Sequence, residues 1–152
     1  MLCKHPYRRL ARASPLQVVI ADGVREGLTP YPCGQCLPCR INKARIWANR
    51  LDLEGRLHND KIFVTLTYSD EHIPENNSLS KKHTQDFFKR LRRVTAKRLR
   101  YYCAGEYGTK TDRPHYHYII YGIGVSSESE LLIQQCWPFG HIQIGDVTPQ
   151  IS

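Results

Sequence analysis

Two histidines stand at i and i+2 in the segment Arg113-Pro114-His115-Tyr116-His117-Tyr118-Ile119-Ile120-Tyr121-Gly122. On a strand that spacing puts both imidazoles on one face, where two neutral rings can bind one ion, and turns Tyr116 the other way. An oxygen ligand is available upstream in Gly105-Glu106-Tyr107-Gly108, since Glu106 is the only carboxylate near the intervening turn besides Asp112 within it. If Glu106 pairs with Arg113 across a six-residue loop, it shares the face of His115 and His117 and lies diagonal to His115. A loop one residue shorter turns it to the wrong side. Two histidines and one carboxylate leave positions open for water or a phosphate oxygen, the pattern of a catalytic site. The same donors serve iron oxygenases, and a pair of solvent-facing histidines on an ordinary strand is the plainer alternative.

A second group is sulfur. Of six cysteines, three lie in Cys33-Gly34-Gln35-Cys36-Leu37-Pro38-Cys39, and Cys3 stands in the N-terminal arm. Together they could bind a structural Zn²⁺ through four thiolates. The two overlapping turns share Cys36, a run that iron–sulfur clusters also use, and reduced or redox-active thiols are the remaining readings. Cys103 and Cys136 sit in apolar elements and read as small core residues.

The third group is charge. The 152 residues carry 22 Lys and Arg against 14 Asp and Glu, a net +8 that favours a polyanionic partner such as nucleic acid. Nine of the basic residues fall between Lys81 and Arg100, where Asp86 is the one acid. Without acidic partners these side chains repel one another, so Lys89, Arg90, Arg92 and Arg93, with Arg113 beside the histidines, are candidates for phosphate contact. A solvated helix face is the bland alternative. No apolar stretch approaches the ~20 residues of a membrane span. Leu16–Ala21 is too short and Gln-interrupted for a secretory signal, so a cytoplasmic protein is expected.

These residues need elements to position them. Scattered Gly and Pro make residues 1–39 an arm containing the cysteine cluster, with one strand-like run at Leu16–Ala21. Ile41, Ala44, Ala48 and Leu51 then recur at helical spacing, predicting a basic amphipathic helix over Arg40–Leu57. Lys61–Tyr68 alternates Ile62, Val64, Leu66 and Tyr68 with Phe63, Thr65 and Thr67, a half-buried strand whose more apolar face looks inward. Ser80 is an N-cap for a helix to about Arg98, with Phe87, Phe88, Leu91 and Val94 as its core stripe. Leu99–Glu106 and Arg113–Gly122 form a hairpin. A short helix over Ser126–Cys136, with a Ser-x-x-Glu start and Leu131, Leu132 and Ile133 inside, precedes a strand over His141–Val147. The order strand, helix, strand, strand, helix, strand predicts an α+β domain over residues 40–152 with a ferredoxin-like or RRM-like βαββαβ antiparallel sheet. That fold alone does not decide a function.

The strings KIFVTLTY, FFKRLRR, GEYGTKTDRPHYHYIIYG and PCGQCLPCR followed by IWANRL together resemble the replication initiators of the gokushovirus group of the Microviridae. These belong to the HUH-type rolling-circle endonucleases of small single-stranded DNA phages. The resemblance runs from Cys3 to about Val147. It implies that FVTLTY is the first motif strand, that His115 and His117 are the HUH metal ligands, and that Glu106 is the third. It further implies Mg²⁺ or Mn²⁺ as cofactor, single-stranded origin DNA and host replication proteins as partners, and the bacterial cytoplasm as location. In such enzymes a tyrosine hydroxyl attacks a phosphodiester at the origin, leaving a 5′-phosphotyrosyl link and a free 3′-OH. That tyrosine lies on a helix after the last sheet strand, a position that none of the nine tyrosines here holds. Tyr107 is the nearest to the metal donors by sequence. The expectation is a piece of a longer initiator or a truncated product, and the alternative is a catalytically silent nucleic-acid-binding module.

Overall fold

The computed structural model describes residues 7–10, 28–109 and 111–147; Cys3, Leu16–Ala21 and residues 148–152 lie outside them. The chain divides into two compact units, Met1–Arg50 and Leu51–Ser152. In the first, β1 (Tyr7–Leu10) pairs antiparallel with β2 (Leu28–Tyr31), setting Tyr7 opposite Tyr31. The sequence pattern predicts neither as a strand. Tyr-Arg-Arg-Leu has no alternation, and Leu-Thr-Pro-Tyr contains a proline that cannot donate to a ladder.

Helix α1 spans Leu37–Arg56 and starts three residues before the expected Arg40. The proline that suggests a boundary, Pro38, sits inside the first turn, where its missing N–H would have no intrahelical partner anyway.

The second unit builds the sheet from β3 (Lys61–Tyr68), β4 (Arg100–Tyr107), β5 (Pro114–Tyr121) and β6 (Gly140–Asp146). Between β3 and β4 lies α2 (Lys81–Thr95), and between β5 and β6 lies α3 (Ser127–Cys136). The strand order is β4-β5-β3-β6, and all three pairings are antiparallel, as in a ferredoxin-like α+β sheet.

The period of two decides which face is buried. Ile62, Val64, Leu66 and Tyr68 of β3 and Tyr116, Tyr118 and Ile120 of β5 form one core with Phe87, Phe88 and Leu91 of α2 and with Ile133, Cys136 and Trp137. Both crossover helices therefore cover the same side of the sheet. Ser80 caps α2 by accepting the His83 N–H at 3.3 Å. The helix stops three residues short of the expected Arg98, because Ala96 turns to a left-handed φ of 51° and donates its N–H to Arg92 O. Val94, expected in the core stripe, is half exposed in that last turn and lies outside the core cluster. In α3 the cap is Ser126, whose hydroxyl accepts from the Ser129 N–H at 3.1 Å. Ile133 is buried, while Leu131, expected inside, faces solvent because a ten-residue helix shows the core only one side.

Between α3 and β6 the chain returns through Trp137, whose indole N–H donates to Thr67 O at 3.2 Å. Gly140 then passes so close to β3 that a Cβ on it would lie 2.3 Å from Thr67 O and 2.4 Å from Ser69 N.

Candidate metal centre and nucleic-acid face

The other side of the sheet carries the histidines. Its residues align in rows across all four strands: Glu106, His115, Thr67 and His141; then Ala104, His117, Thr65 and Gln143; then Tyr102, Ile119, Phe63 and Gly145. At the far end of this face Tyr121 is covered by the last turns of α1, its hydroxyl donating to Leu51 O at 3.1 Å. Beside it Arg100 pairs with Glu54 at 2.9 Å and Lys61 donates to Gly55 O at 3.3 Å. At the near end Glu106 and His141 are exposed.

The hairpin closes at Tyr107 opposite Pro114, so Glu106 faces His115 directly and does not pair with Arg113. The register thus differs by two residues from the one expected. A shift of two preserves the face, and it moves the carboxylate from a diagonal position to one straight across the ladder. Glu106 Oε2 lies 3.8 Å from His115 Nε2 and 3.5 Å from His117 Nε2. One ligand atom from each of the three residues falls within 4.8 Å of the others. The two imidazole rings are 4.9 Å apart and nearly perpendicular at 87°.

Both rings are held from behind. His115 Nδ1 is 3.2 Å from Arg113 O. A carbonyl can only accept, so Nδ1 carries the proton in that bond and Nε2 keeps its lone pair for a ligand. His117 Nδ1 is 3.0 Å from the Thr65 hydroxyl, and its ring stacks on Phe63 at 5.5 Å. Both Nε2 atoms are therefore directed at the carboxylate. Two imidazoles and one carboxylate, with Glu106 60% exposed, form a donor set that fits a divalent cation such as Mg²⁺ or Mn²⁺ and leaves room for a further ligand. Thr65 and Phe63 carry no metal-site signal in the sequence, because Thr and Phe in FVTLTY read simply as strand formers; their alternation with the buried set is the signal that places them on this face.

The other candidate residues are distributed differently. Helix α2 packs on the buried face, so Lys89 and Arg93 lie across the sheet from Glu106, His115 and His117 rather than beside them. Lys89 is exposed, 3.7 Å from Asp86, and Arg93 is exposed as well. Arg90 Nε donates to Cys136 O at 2.9 Å and its guanidinium lies 6.0 Å from the centre of the Phe139 ring. Arg92 donates to Leu99 O at 3.1 Å and sits over Phe88 and Tyr101. Arg113 donates to Tyr68 O at 2.7 Å and to the Asp70 carboxylate. These three arginines, expected as phosphate contacts, are engaged within the protein.

Tyr107 falls on the face opposite Glu106, and its hydroxyl accepts the Leu79 N–H at 3.3 Å. It does not face the three donors. In the first unit, Cys33, Cys36 and Cys39 also bring their sulfurs within 4.8 Å of one another. Cys136 is buried and Cys103 packs against the core, and burial pushes both thiols above the ordinary value.

The family described as replication-associated protein ORF2 matches residues 61–152, the stretch that contains the whole sheet and all three donors. The chain belongs to this family. It is 33% identical over 138 residues to replication-associated protein VP4 of Bdellovibrio phage phiMH2K, covering 78% of this chain and 44% of that protein. It is 28% identical over 164 aligned positions to replication-associated protein ORF4 of Chlamydia phage 1, covering 92% of this chain and 41% of that one. With replication-associated protein ORF2 of Spiroplasma virus 4 it shares 32% identity over 139 residues, covering 77% and 43%. The chain thus spans about four-tenths of the length of the curated relatives it matches. The resemblance to phage replication proteins read from the motifs agrees with this membership. No solved structure matches the chain. Among the described residues no helix is long and apolar enough to cross a membrane.

Proposed function

We propose that this member of the replication-associated protein family carries the DNA-processing sheet of a rolling-circle initiator. Single-stranded origin DNA lies on the open face, and a phosphodiester is presented to Glu106, His115 and His117. In the whole protein this leads to nicking and rejoining through a phosphotyrosyl intermediate. The observation that carries this reading is the convergence of the two Nε2 atoms on Glu106 Oε2 at 3.5 and 3.8 Å, with each Nδ1 held by Arg113 O or Thr65.

A divalent ion, Mg²⁺ or Mn²⁺, bound by those three residues supplies charge at the scissile phosphate and stabilises the oxyanion that develops there. The chain's own residues do the positioning. Thr65 and Arg113 O fix the imidazoles so that neither ring turns its protonated nitrogen to the ligand side. Phe63, 36% exposed, offers a ring on which a base can stack. In the transfer itself, a tyrosine oxygen bonds to phosphorus, the bond to the 3′ oxygen breaks, and that oxygen leaves as the 3′-OH. Tyr107 faces away, so the attack is assigned to a tyrosine of the whole initiator other than this one. The role implies the bacterial host cytoplasm as the site of action and host replication proteins as partners.

The test is titration of the chain with Mn²⁺ by calorimetry, alongside binding of a labelled single-stranded oligonucleotide. Mn²⁺ binding that disappears in His115→Ala/His117→Ala and weakens in Glu106→Gln supports the proposal. Oligonucleotide binding with no Mn²⁺ binding, unaffected by those changes, would instead identify a silent nucleic-acid-binding module.

A further inference from the structure

We propose that Cys33, Cys36 and Cys39 hold a zinc ion that staples the start of α1. Cys33 Sγ and Cys39 Sγ are 3.9 Å apart. A disulfide requires about 2 Å. Four thiolates at ~2.3 Å from one zinc sit about 3.8 Å from each other along the edges of the tetrahedron. The separation thus matches two sulfurs on one ion. An iron–sulfur cluster attaches each thiolate to a different iron and spreads the sulfurs further, so a trio gathered within 4.8 Å suits a single ion better.

The local backbone is built for this convergence. Gly34 adopts φ +76°, a conformation that side chains disfavour, and no atom lies within 4 Å of where its Cβ would stand. Glycine is there for its backbone freedom rather than for lack of space. The turn it permits lets the Cys36 N–H donate to Cys33 Sγ at 3.4 Å, an amide contact that draws charge off a thiolate. Cys36 O in turn accepts from the Arg40 N–H at 3.0 Å, which makes Cys36 the cap of the 20-residue α1. Cys39 follows in the first turn, 6% exposed, where the helix N-terminus favours the anionic form of its sulfur. Three sulfurs on a capping turn thus meet at the positive end of a long helix. The tetrahedron's fourth place belongs to a ligand outside the trio, and Cys3 is the remaining cysteine of the same unit.

Such a closed sulfur site differs in kind from the open one on the sheet. It takes a soft ion, needs no vacant position, and fixes the point at which α1 begins. Metal analysis of the whole chain after dialysis is expected to find about one zinc per molecule. The cobalt-substituted chain should show thiolate-to-cobalt charge-transfer absorption with the ligand-field bands of a tetrahedral ion. Cys36→Ser and Cys39→Ser should each weaken zinc by at least about tenfold. Cys36→His, which keeps a zinc ligand, should retain the ion with an altered cobalt spectrum, and His115→Ala/His117→Ala should retain it unchanged. Absence of both zinc and the charge-transfer bands from the unmodified chain overturns the proposal, as do bands that survive the serine variants or an iron–sulfur chromophore. If a serine variant fails to fold, the cobalt spectrum of the unmodified chain decides alone.

Discussion

Thr65 shows how much of a site rests on a residue with no conspicuous chemistry. Its hydroxyl lies 3.0 Å from His117 Nδ1, behind the ring, while Nε2 faces Glu106. Replacing it with valine keeps the shape and the β-branched preference for a strand but removes the bond that orients the imidazole. Loss of such an outer partner typically weakens a metal site by about 10- to 100-fold. We expect Thr65→Val to lower Mn²⁺ affinity on that scale with the thermal transition nearly unchanged; equal affinities by calorimetry would show that Phe63 alone orients the ring. Several of these relations are legible from residue types and parity. The i, i+2 spacing gives the face of His115 and His117, and any register shift of two leaves Glu106 on that face. What parity cannot give is which carboxylate is opposite and which is diagonal, since that depends on where the hairpin closes. Nor does a basic residue's type tell what it binds. Arg90, Arg92 and Arg113 look like phosphate ligands in the chain, yet each finds a backbone carbonyl of its own protein.

At the scale of elements, alternation in β3 and β5 makes the buried face readable, and the order of strands and helices points to the ferredoxin-like sheet. The placement of charge relative to the site needs the fold. Because both crossovers of this topology put their helices on one face, the basic face of α2 points away from the sheet side that carries the histidines. Lys81, Lys82, Lys89 and Arg93 are exposed there. If they bind DNA, they do so separately from Glu106, His115 and His117. Changing all four to alanine should then reduce the salt dependence of single-strand binding by about 0.7 in the logarithmic slope for each phosphate no longer neutralised. Mn²⁺ affinity should stay as it was. A slope that does not move would leave α2 as a solvated surface, with the open face carrying the whole interaction. Helix ends are less legible than helices, because Pro38 inside a first turn and Ala96 at a left-handed φ of 51° are tertiary solutions that propensity does not announce.

For the whole molecule, the two faces of the sheet separate stability from chemistry, and pH offers a way to see it. On the helix side His83 is packed between Tyr68, whose hydroxyl is 2.8 Å from Nδ1, and Phe139, whose ring stacks at 4.2 Å. Burial holds its affinity for a proton below the ordinary value; Asp86 works in the opposite direction, and Lys82 and Arg90 add to the lowering. The folded protein therefore keeps His83 neutral at a pH where the unfolded chain has begun to protonate it. The sign follows from linkage: this contribution is present in full above the unfolded histidine value of about 6.5 and is lost as pH falls from there through the lower folded value. His83→Gln retains a polar side chain while removing the titration. We expect the unmodified chain to lose more thermal stability than His83→Gln between neutral and mildly acidic buffer, measured with metal-chelating agent present so that His115 and His117 bind no ion in either case. If the two chains lose the same amount, acid sensitivity belongs to the open face or to the other histidines, and the helix face contributes packing without a titrating element.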